Sequence, residues 1–229
     1  MNFMHPDEIE RIASKDFVSY KDKKNIAKVT FPLEPEDIFY TLFGLTTRYV
    51  NFDEHNIKSK EGAQLLGALY PEGFYFCDEE KQILVNTGCH RQEDVELFPY
   101  VHQMQRFTVF HEGGHYALHV RPSKFQTSLF PSVQHYGRKE PFVCRSDYIA
   151  GKNYDPLEYQ ANRYAAGMMV PSTEVYNFVG GTKFVDLGKC GKDFRKHFGV
   201  SQKAMEKRLL DLGYRYINGK YDEIFKRKK

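Results

Sequence analysis

Residues 107–119 read FTVFHEGGHYALH, and this stretch carries the most specific pattern of the sequence. His111 and His115 stand four residues apart, and Glu112 directly follows the first of them, which is the HExxH pattern. Apolar residues flank the motif at helical spacing, so we predict one long helix over residues 98–119. Residues four apart share a face of a helix. The two imidazoles are therefore expected to point the same way.

The motif has the residue types of a hydrolytic zinc site. Two imidazoles on one helical face can bind a single Zn²⁺ at about 2.0 to 2.1 Å. Zinc lowers the pKa of a bound water to about 7, and a neighbouring carboxylate can accept the proton of that water. We therefore predict that His111 and His115 are zinc ligands and that Glu112 is the general base of a hydrolysis.

Two glycines inside the predicted helix conflict with its local propensity. Gly113 and Gly114 each cost a helix interior about 1 kcal/mol relative to alanine. Metal coordination on both sides of the pair is one compensation. The other is a close approach by a neighbouring strand or a substrate backbone, which the missing side chains permit. Both explanations are open at this stage.

A catalytic zinc needs a third protein ligand, and two residues compete for that role. His119 continues the spacing of four, but a third ligand from the same helix strains a tetrahedral site. Glu158 lies in the first turn of a second predicted helix, which Asp155 caps, a proline opens and Pro171 ends. Alanines make this helix slim enough to pack closely on the first. We predict Glu158 as the third ligand and Asn162, one turn later, as a hydrogen-bond partner of a ligand histidine.

The remaining chain predicts an α+β fold. Short β-favouring runs at residues 46–52, 67–69, 74–77 and 83–86 are separated by turn signals, which indicates a small antiparallel sheet. We expect the HExxH helix to lie against this sheet. Two helical patterns before the first strand begin at prolines followed by acidic residues, near residues 6–14 and 36–43.

The domain boundaries are predicted from loops and the closing helices. Residues 1–180 are expected to form the metal-binding domain, with a long insertion at about 120–154 that is a candidate substrate flap. Residues 181–229 are expected to form a helical accessory region. Its two helices, roughly 192–198 and 202–212, resemble a helix-turn-helix in outline.

Composition restricts the cellular setting and the partners. The chain of 229 residues carries a net charge of only +3, which does not favour a nucleic-acid partner. Its four cysteines are scattered without a CxxC pair, as expected of free thiols in a reducing compartment. No stretch approaches the run of about 20 apolar residues that spans a bilayer. We expect a cytoplasmic protein without membrane contact.

Three segments in this order resemble the ImmA/IrrE family of metallopeptidases. They are RFTVFHEGGHYALH at residues 106–119, EYQANRYAAGMMVP at 158–171 and, more weakly, FGVSQKAMEKRLLDLGY at 198–214. With the preceding ILVN strand, the resemblance covers roughly residues 67–214.

The resemblance implies a ligand set and a biological setting. It implies His111, His115 and Glu158 as zinc ligands with Glu112 as base, in the manner of gluzincins. It also implies a cytoplasmic regulator that cleaves or antagonises a protein partner, a helix-turn-helix repressor or an antitoxin-like regulator. The chain departs from the family in its long insertion between His115 and Glu158, and in Met-Met-Val at residues 168–170, where leucines are more usual.

Two other functions compete with the peptidase. The first is a non-catalytic, zinc-stabilised protein that antagonises a transcription regulator by binding alone. The second is a DNA-binding regulator built on the closing helices, whose basic residues are Lys192, Arg195, Lys196, Lys203, Lys207 and Arg208. Solvated helix faces often carry such charges, so DNA is the less favoured partner.

Overall fold

A computed structural model of the protein describes residues 4–57, 64–71, 81–88, 99–121, 142–145, 155–182 and 184–217. It shows the α+β architecture expected from the sequence. The helices are α1 (Pro6–Lys24), α2 (Pro35–Phe43), α3 (Pro99–His115), α4 (Pro156–Met169), α5 (Ser172–Phe178), α6 (Leu187–Phe198) and α7 (Gln202–Asp211). The strands are β1 (Thr46–Val50), β2 (Leu65–Tyr70), β3 (Gln82–Asn86), β4 (Phe142–Arg145), β5 (Phe184–Asp186) and β6 (Arg215–Ile217). A π-helix, Tyr116–Val120, continues α3.

The main sheet is mixed, with strand order β1-β3-β2-β4. β2 pairs antiparallel with β3 and with β4, as the predicted antiparallel sheet requires. β1, however, pairs in parallel with β3. The chain reverses once into β2 and again into β3, so β1 and β3 point the same way, and β3 lies between β1 and β2. Local patterns predict strands but not their lateral order, which is why the predicted small antiparallel sheet does not include the parallel pairing of β1.

Both faces of the sheet are covered. Ile83 and Val85 of β3 belong to the main hydrophobic core, while Leu84 between them packs with Phe52 and Ala68 in a smaller cluster. This alternation is the expected consequence of the two-residue period of a strand. Helix α3 contacts β2, β3 and β4, so the predicted packing of the HExxH helix on the sheet is confirmed.

Helix α1 is longer than the sequence predicted. It begins at Pro6 as expected and runs to Lys24, where Asn25 ends it in a left-handed conformation. Its buried face continues through Phe17 and Tyr20. These residues extend the helical spacing that the shorter prediction did not follow beyond residue 14.

The described part of the C-terminal region shares one hydrophobic core with the helices that precede it. Phe194, Phe198 and Leu209 belong to the same hydrophobic core as Ile9 and Ala13 of α1. Ser201 caps α7 by accepting a hydrogen bond from the Ala204 amide at 3.2 Å. The predicted division at residue 180 stays a prediction.

One buried arginine joins α7 to two other helices. Arg208 donates to both carboxylate oxygens of Glu10 in α1, at 2.6 and 2.7 Å, and to the carbonyl oxygen of Val170 after α4 at 2.9 Å. Its side chain is only 2% exposed. Arg208, one of the six basic residues considered for DNA contact, is therefore directed into the protein.

Two predicted segments fall partly or wholly outside the described residues. Strand β4 lies within the predicted insertion at 120–154, and most of the remaining insertion lies outside the described ranges. The expected strand at 74–77 also lies outside them. Among the helices that the structure describes, none combines the length and apolar character needed to cross a bilayer.

Candidate metal centre

Helices α3 and α4 carry the predicted site residues and lie unusually close together. A Cβ atom added to Gly114 of α3 would lie 3.0 Å from the carbonyl oxygen of Ala161 in α4 and 3.3 Å from its Cα. The conflict between these glycines and a helix therefore has a physical explanation, because a side chain at position 114 would push the helices apart. The neighbour is helix α4, and not the strand or substrate backbone considered from the sequence.

The start of α4 directs Glu158 towards α3. Asp155 caps the helix by accepting a hydrogen bond from the Leu157 amide at 2.8 Å, and Pro156 occupies the first helical position. Glu158 follows in the first turn and is 7% exposed, while His111, Glu112 and His115 are fully buried. The capped helix start thus sets a carboxylate against the face of α3 that carries both histidines.

The structure brings His111, His115 and Glu158 together. Nε2 of His111 lies 3.0 Å from one carboxylate oxygen of Glu158, and Nε2 of His115 lies 3.2 Å from the other. The two Nε2 atoms are 3.1 Å apart. Donors around a tetrahedral zinc are separated by about 3.3 Å, which follows from bonds of about 2.0 to 2.1 Å. The three side chains can therefore hold a metal ion.

Hydrogen bonding behind His111 indicates which of its nitrogens is available to a metal. Nδ1 of His111 is 2.9 Å from Oδ1 of Asn162, and since a carbonyl oxygen only accepts, Nδ1 donates. A neutral His111 then carries its lone pair on Nε2, which faces Glu158 and His115. The structure thus places Asn162 behind His111, in the contact predicted from the sequence.

The pKa shifts match the protonation states that metal binding requires. Burial raises the pKa of Glu158, but its interactions with His115 and His111 outweigh burial and hold that pKa well below its usual value. Burial lowers the pKa of His115 more than the Glu158 carboxylate raises it. An ionised carboxylate and a neutral imidazole are the forms that bind a metal ion.

His119, the rival for the third ligand position, lies behind His115 instead of beside the other two ligands. Its Nδ1 is 3.1 Å from Nδ1 of His115, on the side of that ring away from Glu158. Its Nε2 is 3.3 Å from Oε1 of Gln160 in α4. Burial lowers the pKa of His119 to about 3, so its ring is neutral near pH 7.

His119 reaches this position from the π-helix. The Arg121 amide donates to the Tyr116 carbonyl oxygen at 2.8 Å, a bond that spans five residues. Single π-helical turns are often found at functional sites. The predicted helix over residues 98–119 therefore continues past His115, but with a wider final turn than regular α-helical spacing predicts.

Glu112 lies against β2 at a glycine. A Cβ atom on Gly67 would lie 3.2 Å from Oε1 of Glu112 and 2.4 Å from Cγ2 of Thr108. Gly67 therefore makes room for the carboxylate beside the sheet. The role of Gly67 and that of Gln160 beside His119 were not predicted from the sequence, although a glycine inside a strand pattern does signal the close approach of another group.

Residues 101–210 match the family model of the IrrE N-terminal-like domain, Peptidase_M78. This segment of the chain is similar to the M78 peptidases. The match includes HExxH, Glu158 and the closing helices α6 and α7, so the family resemblance expected from the three motifs is confirmed. No curated protein matches the chain in a sequence comparison. The M78 domain is that of a metallopeptidase family, and its buried triad can hold a metal ion.

Proposed function

We propose that the protein is a zinc-dependent endopeptidase that hydrolyses a peptide bond in a protein substrate. His111, His115 and Glu158 hold the zinc, and Glu112 is the general base. One observation carries the proposal: two imidazole nitrogens of α3 and a carboxylate of α4 converge within 3.0 to 3.2 Å in a buried site, and α3 also carries Glu112. The M78 family match supports the same reaction class.

The convergence itself favours a cation. If His111 and His115 are both neutral with their protons on Nδ1, two lone pairs and a carboxylate face one another without a proton between them. Such a set of acceptors repels itself in a buried site unless a positive charge offsets it. Two imidazoles with one carboxylate are a common ligand set of catalytic zinc, so we propose zinc rather than a harder cation.

In this proposal the metal and Glu112 have separate chemical roles. Zinc supplies a Lewis acid that polarises the substrate carbonyl and acidifies a water molecule. The carboxylate of Glu112 accepts a proton from the attacking water and returns it to the departing amine, which is general base and then general acid catalysis. The burial of Glu112 beside β2 keeps its carboxylate in one position for both transfers.

We propose a cytoplasmic regulatory protein as the substrate, specifically a helix-turn-helix repressor or an antitoxin-like regulator. The resemblance of three motifs to the ImmA/IrrE family supports this class. The modest net charge of +3, and the burial of Arg208 against Glu10, give no support to DNA as the partner.

The test is a cleavage experiment with matched variants. Zinc-loaded wild type, Glu112→Gln and the control Glu54→Gln are each incubated with a peptide library prepared from a bacterial proteome, and new N-termini are identified by mass spectrometry. Glu54 is exposed and belongs to no site described above. We expect shared cleavage products with wild type and the control, and at least a 100-fold lower rate with Glu112→Gln.

Two outcomes would count against the peptidase. Equal cleavage by wild type and Glu112→Gln would exclude Glu112 as the base. An absence of cleavage by zinc-loaded wild type, together with undiminished repressor inactivation in cells by Glu112→Gln, would support a zinc-stabilised binding protein instead.

A further inference from the structure

A chain of hydrogen-bonding groups runs from His115 away from the metal site. Nδ1 of His115 contacts Nδ1 of His119 at 3.1 Å, and Nε2 of His119 contacts Oε1 of Gln160 at 3.3 Å. Gln160 lies two residues after Glu158 in α4 and is only 2% exposed. The chain thus begins on the HExxH helix, passes through the π-helix and ends on the helix that supplies the third ligand.

The terminal amide oxygen sets the direction of every proton in this chain. Oε1 of Gln160 only accepts, so Nε2 of His119 must donate to it. A neutral His119 then has its lone pair on Nδ1, which accepts from Nδ1 of His115. His115 is left with its lone pair on Nε2, the atom that faces Glu158 and His111. The opposite direction would require the amide nitrogen of Gln160 at the position that Oε1 occupies.

The burial of Gln160 leaves one of its polar atoms without a hydrogen-bond partner in the part of the chain that the structure describes. Its Nε2 atom has no hydrogen-bond partner within the described ranges of the chain. A buried polar atom without a partner destabilises the folded state. Packing does not require this cost, since an apolar residue of similar size would avoid it. Among the described residues, the side chain of Gln160 hydrogen-bonds through its oxygen but not through its nitrogen. This arrangement is expected if the residue is present to supply an acceptor to His119.

The two ligand histidines are therefore held in parallel ways from α4. Asn162 accepts directly from His111 at 2.9 Å, while Gln160 acts on His115 through His119. Hydrogen bonds behind ligand histidines select the tautomer and orient the ring, and their loss typically reduces metal affinity by 10- to 100-fold.

We propose that His119 and Gln160 are positioning residues of the metal centre, which hold His115 in the tautomer and ring orientation that direct Nε2 to the metal. This inference rests on the proposed zinc site but assigns a role that the ligand set alone does not. Neither residue coordinates the metal. Each acts through His115.

The test compares zinc affinity among four variants. His119→Leu removes the acceptor facing His115, His119→Asn keeps an acceptor near the position of Nδ1, and Gln160→Leu removes the end of the chain. His102→Leu is the matched control, because His102 is exposed and lies more than three turns from His115 on the same helix. Zinc affinity is measured by competition with a chromophoric chelator, and the visible absorption spectrum of the Co²⁺-substituted protein reports ligand geometry independently of affinity.

We expect His119→Leu to lose 10- to 100-fold in zinc affinity and to shift the Co²⁺ bands. His119→Asn should recover most of the affinity, Gln160→Leu should fall between His119→Leu and wild type, and His102→Leu should match wild type. Far-ultraviolet circular dichroism of the zinc-free variants identifies any that do not fold, and the Asn variant then decides the question.

The outcomes separate this inference from the proposed function. If wild type binds zinc and His119→Leu binds it equally well with an unchanged Co²⁺ spectrum, the positioning role is overturned while the zinc site stands. If His119→Asn binds as poorly as His119→Leu, an acceptor at this position is not what matters, and the inference also fails. If wild type itself binds neither zinc nor Co²⁺, the proposed function fails first.

Discussion

Gly113 lies directly against the ring of Phe39: a Cβ atom at position 113 would fall 2.2 Å from Cζ and 2.4 Å from both Cε atoms. Phe39 is fully buried in α2 and packs edge-on against Phe110 with ring centroids 5.7 Å apart. The ring cannot move aside without displacing its neighbours. The glycine, which lies between His111 and His115 in the chain, therefore lets α2 pack on the HExxH helix.

We predict that Gly113→Ala lowers the free energy of unfolding by about 1 to 3 kcal/mol, the usual cost of overpacking a core. The higher helix propensity of alanine works in the opposite direction by about 1 kcal/mol. Urea unfolding of the zinc-free protein measures the difference. The matched control is Gly191→Ala in α6, where a Cβ would meet only ordinary contacts at 3.4 to 3.8 Å. The control should be neutral or slightly stabilising, and equal stability of both variants would contradict the packing argument.

Gly67 gives a second prediction, which separates catalysis from metal binding. In Gly67→Ala the new methyl group would press on Glu112 and on Thr108 Cγ2. Thr108→Ser removes Cγ2, so the double variant Gly67→Ala/Thr108→Ser relieves the closest contact and leaves those with Oε1 of Glu112 at 3.2 Å and with the carbonyl oxygen of Leu84 at 3.1 Å. We expect this double variant to keep its zinc and to lose about 100-fold in peptide hydrolysis, because a displaced general base costs that much.

The control for this prediction is Thr108→Ser alone, which should retain activity. Zinc content is measured by elemental mass spectrometry, and activity on a peptide found in the cleavage experiment. Full activity in the double variant would show that the approach of Gly67 does not set the position of Glu112.

The ion pair between Glu10 and Arg208 predicts a pH dependence of stability. Burial raises the pKa of Glu10, but the hydrogen bonds and charge of Arg208 outweigh burial, so this pKa lies below its ordinary value of 4.5. A carboxylate with a depressed pKa stabilises the fold fully above its unfolded value, and this contribution is lost as the pH falls through the folded value.

We therefore expect Glu10→Gln to lower the free energy of unfolding by about 2 kcal/mol at pH 7. This is less than the loss from breaking a fully buried ion pair, because the Glu10 side chain is 22% exposed. Since glutamine resembles a protonated glutamate, the difference from wild type should shrink as the pH falls below 4.5. Urea unfolding across this range measures it, with Glu54→Gln as the control. A difference that does not change with pH would show that the charge of Glu10 is not what stabilises α7 on α1.

The geometry of the candidate metal centre could be predicted from the sequence because most of it is encoded locally. His111, Glu112 and His115 lie within one helical turn and a half, and regular helical geometry alone places both imidazoles on one face. Glu158 and Asn162 lie on a second helix whose capping signals are equally local, so the face that they share was also predictable. Only the packing of these two helices against each other is not encoded locally. The alanines of the second helix are what made a close approach a reasonable expectation.

The remaining features depend on long-range packing, which local patterns do not contain. The parallel pairing of β1 with β3 requires knowing that β3 lies between β1 and β2. The ring that explains Gly113 is 74 residues away in α2, at Phe39. The spacing of four predicts that His119 lies near His115 but not what it does, because its contact with Gln160 arises only when the π-helix meets α4.

The most direct test of the central claim is the metal content of the purified protein, measured by elemental mass spectrometry without added metal. Wild type is compared with Glu158→Ala and with the control Glu54→Ala. The account predicts close to one zinc per chain in wild type and the control, and little in Glu158→Ala. Zinc that is retained in Glu158→Ala, or absent from wild type even after incubation with one equivalent of Zn²⁺, would contradict a metal centre formed by His111, His115 and Glu158.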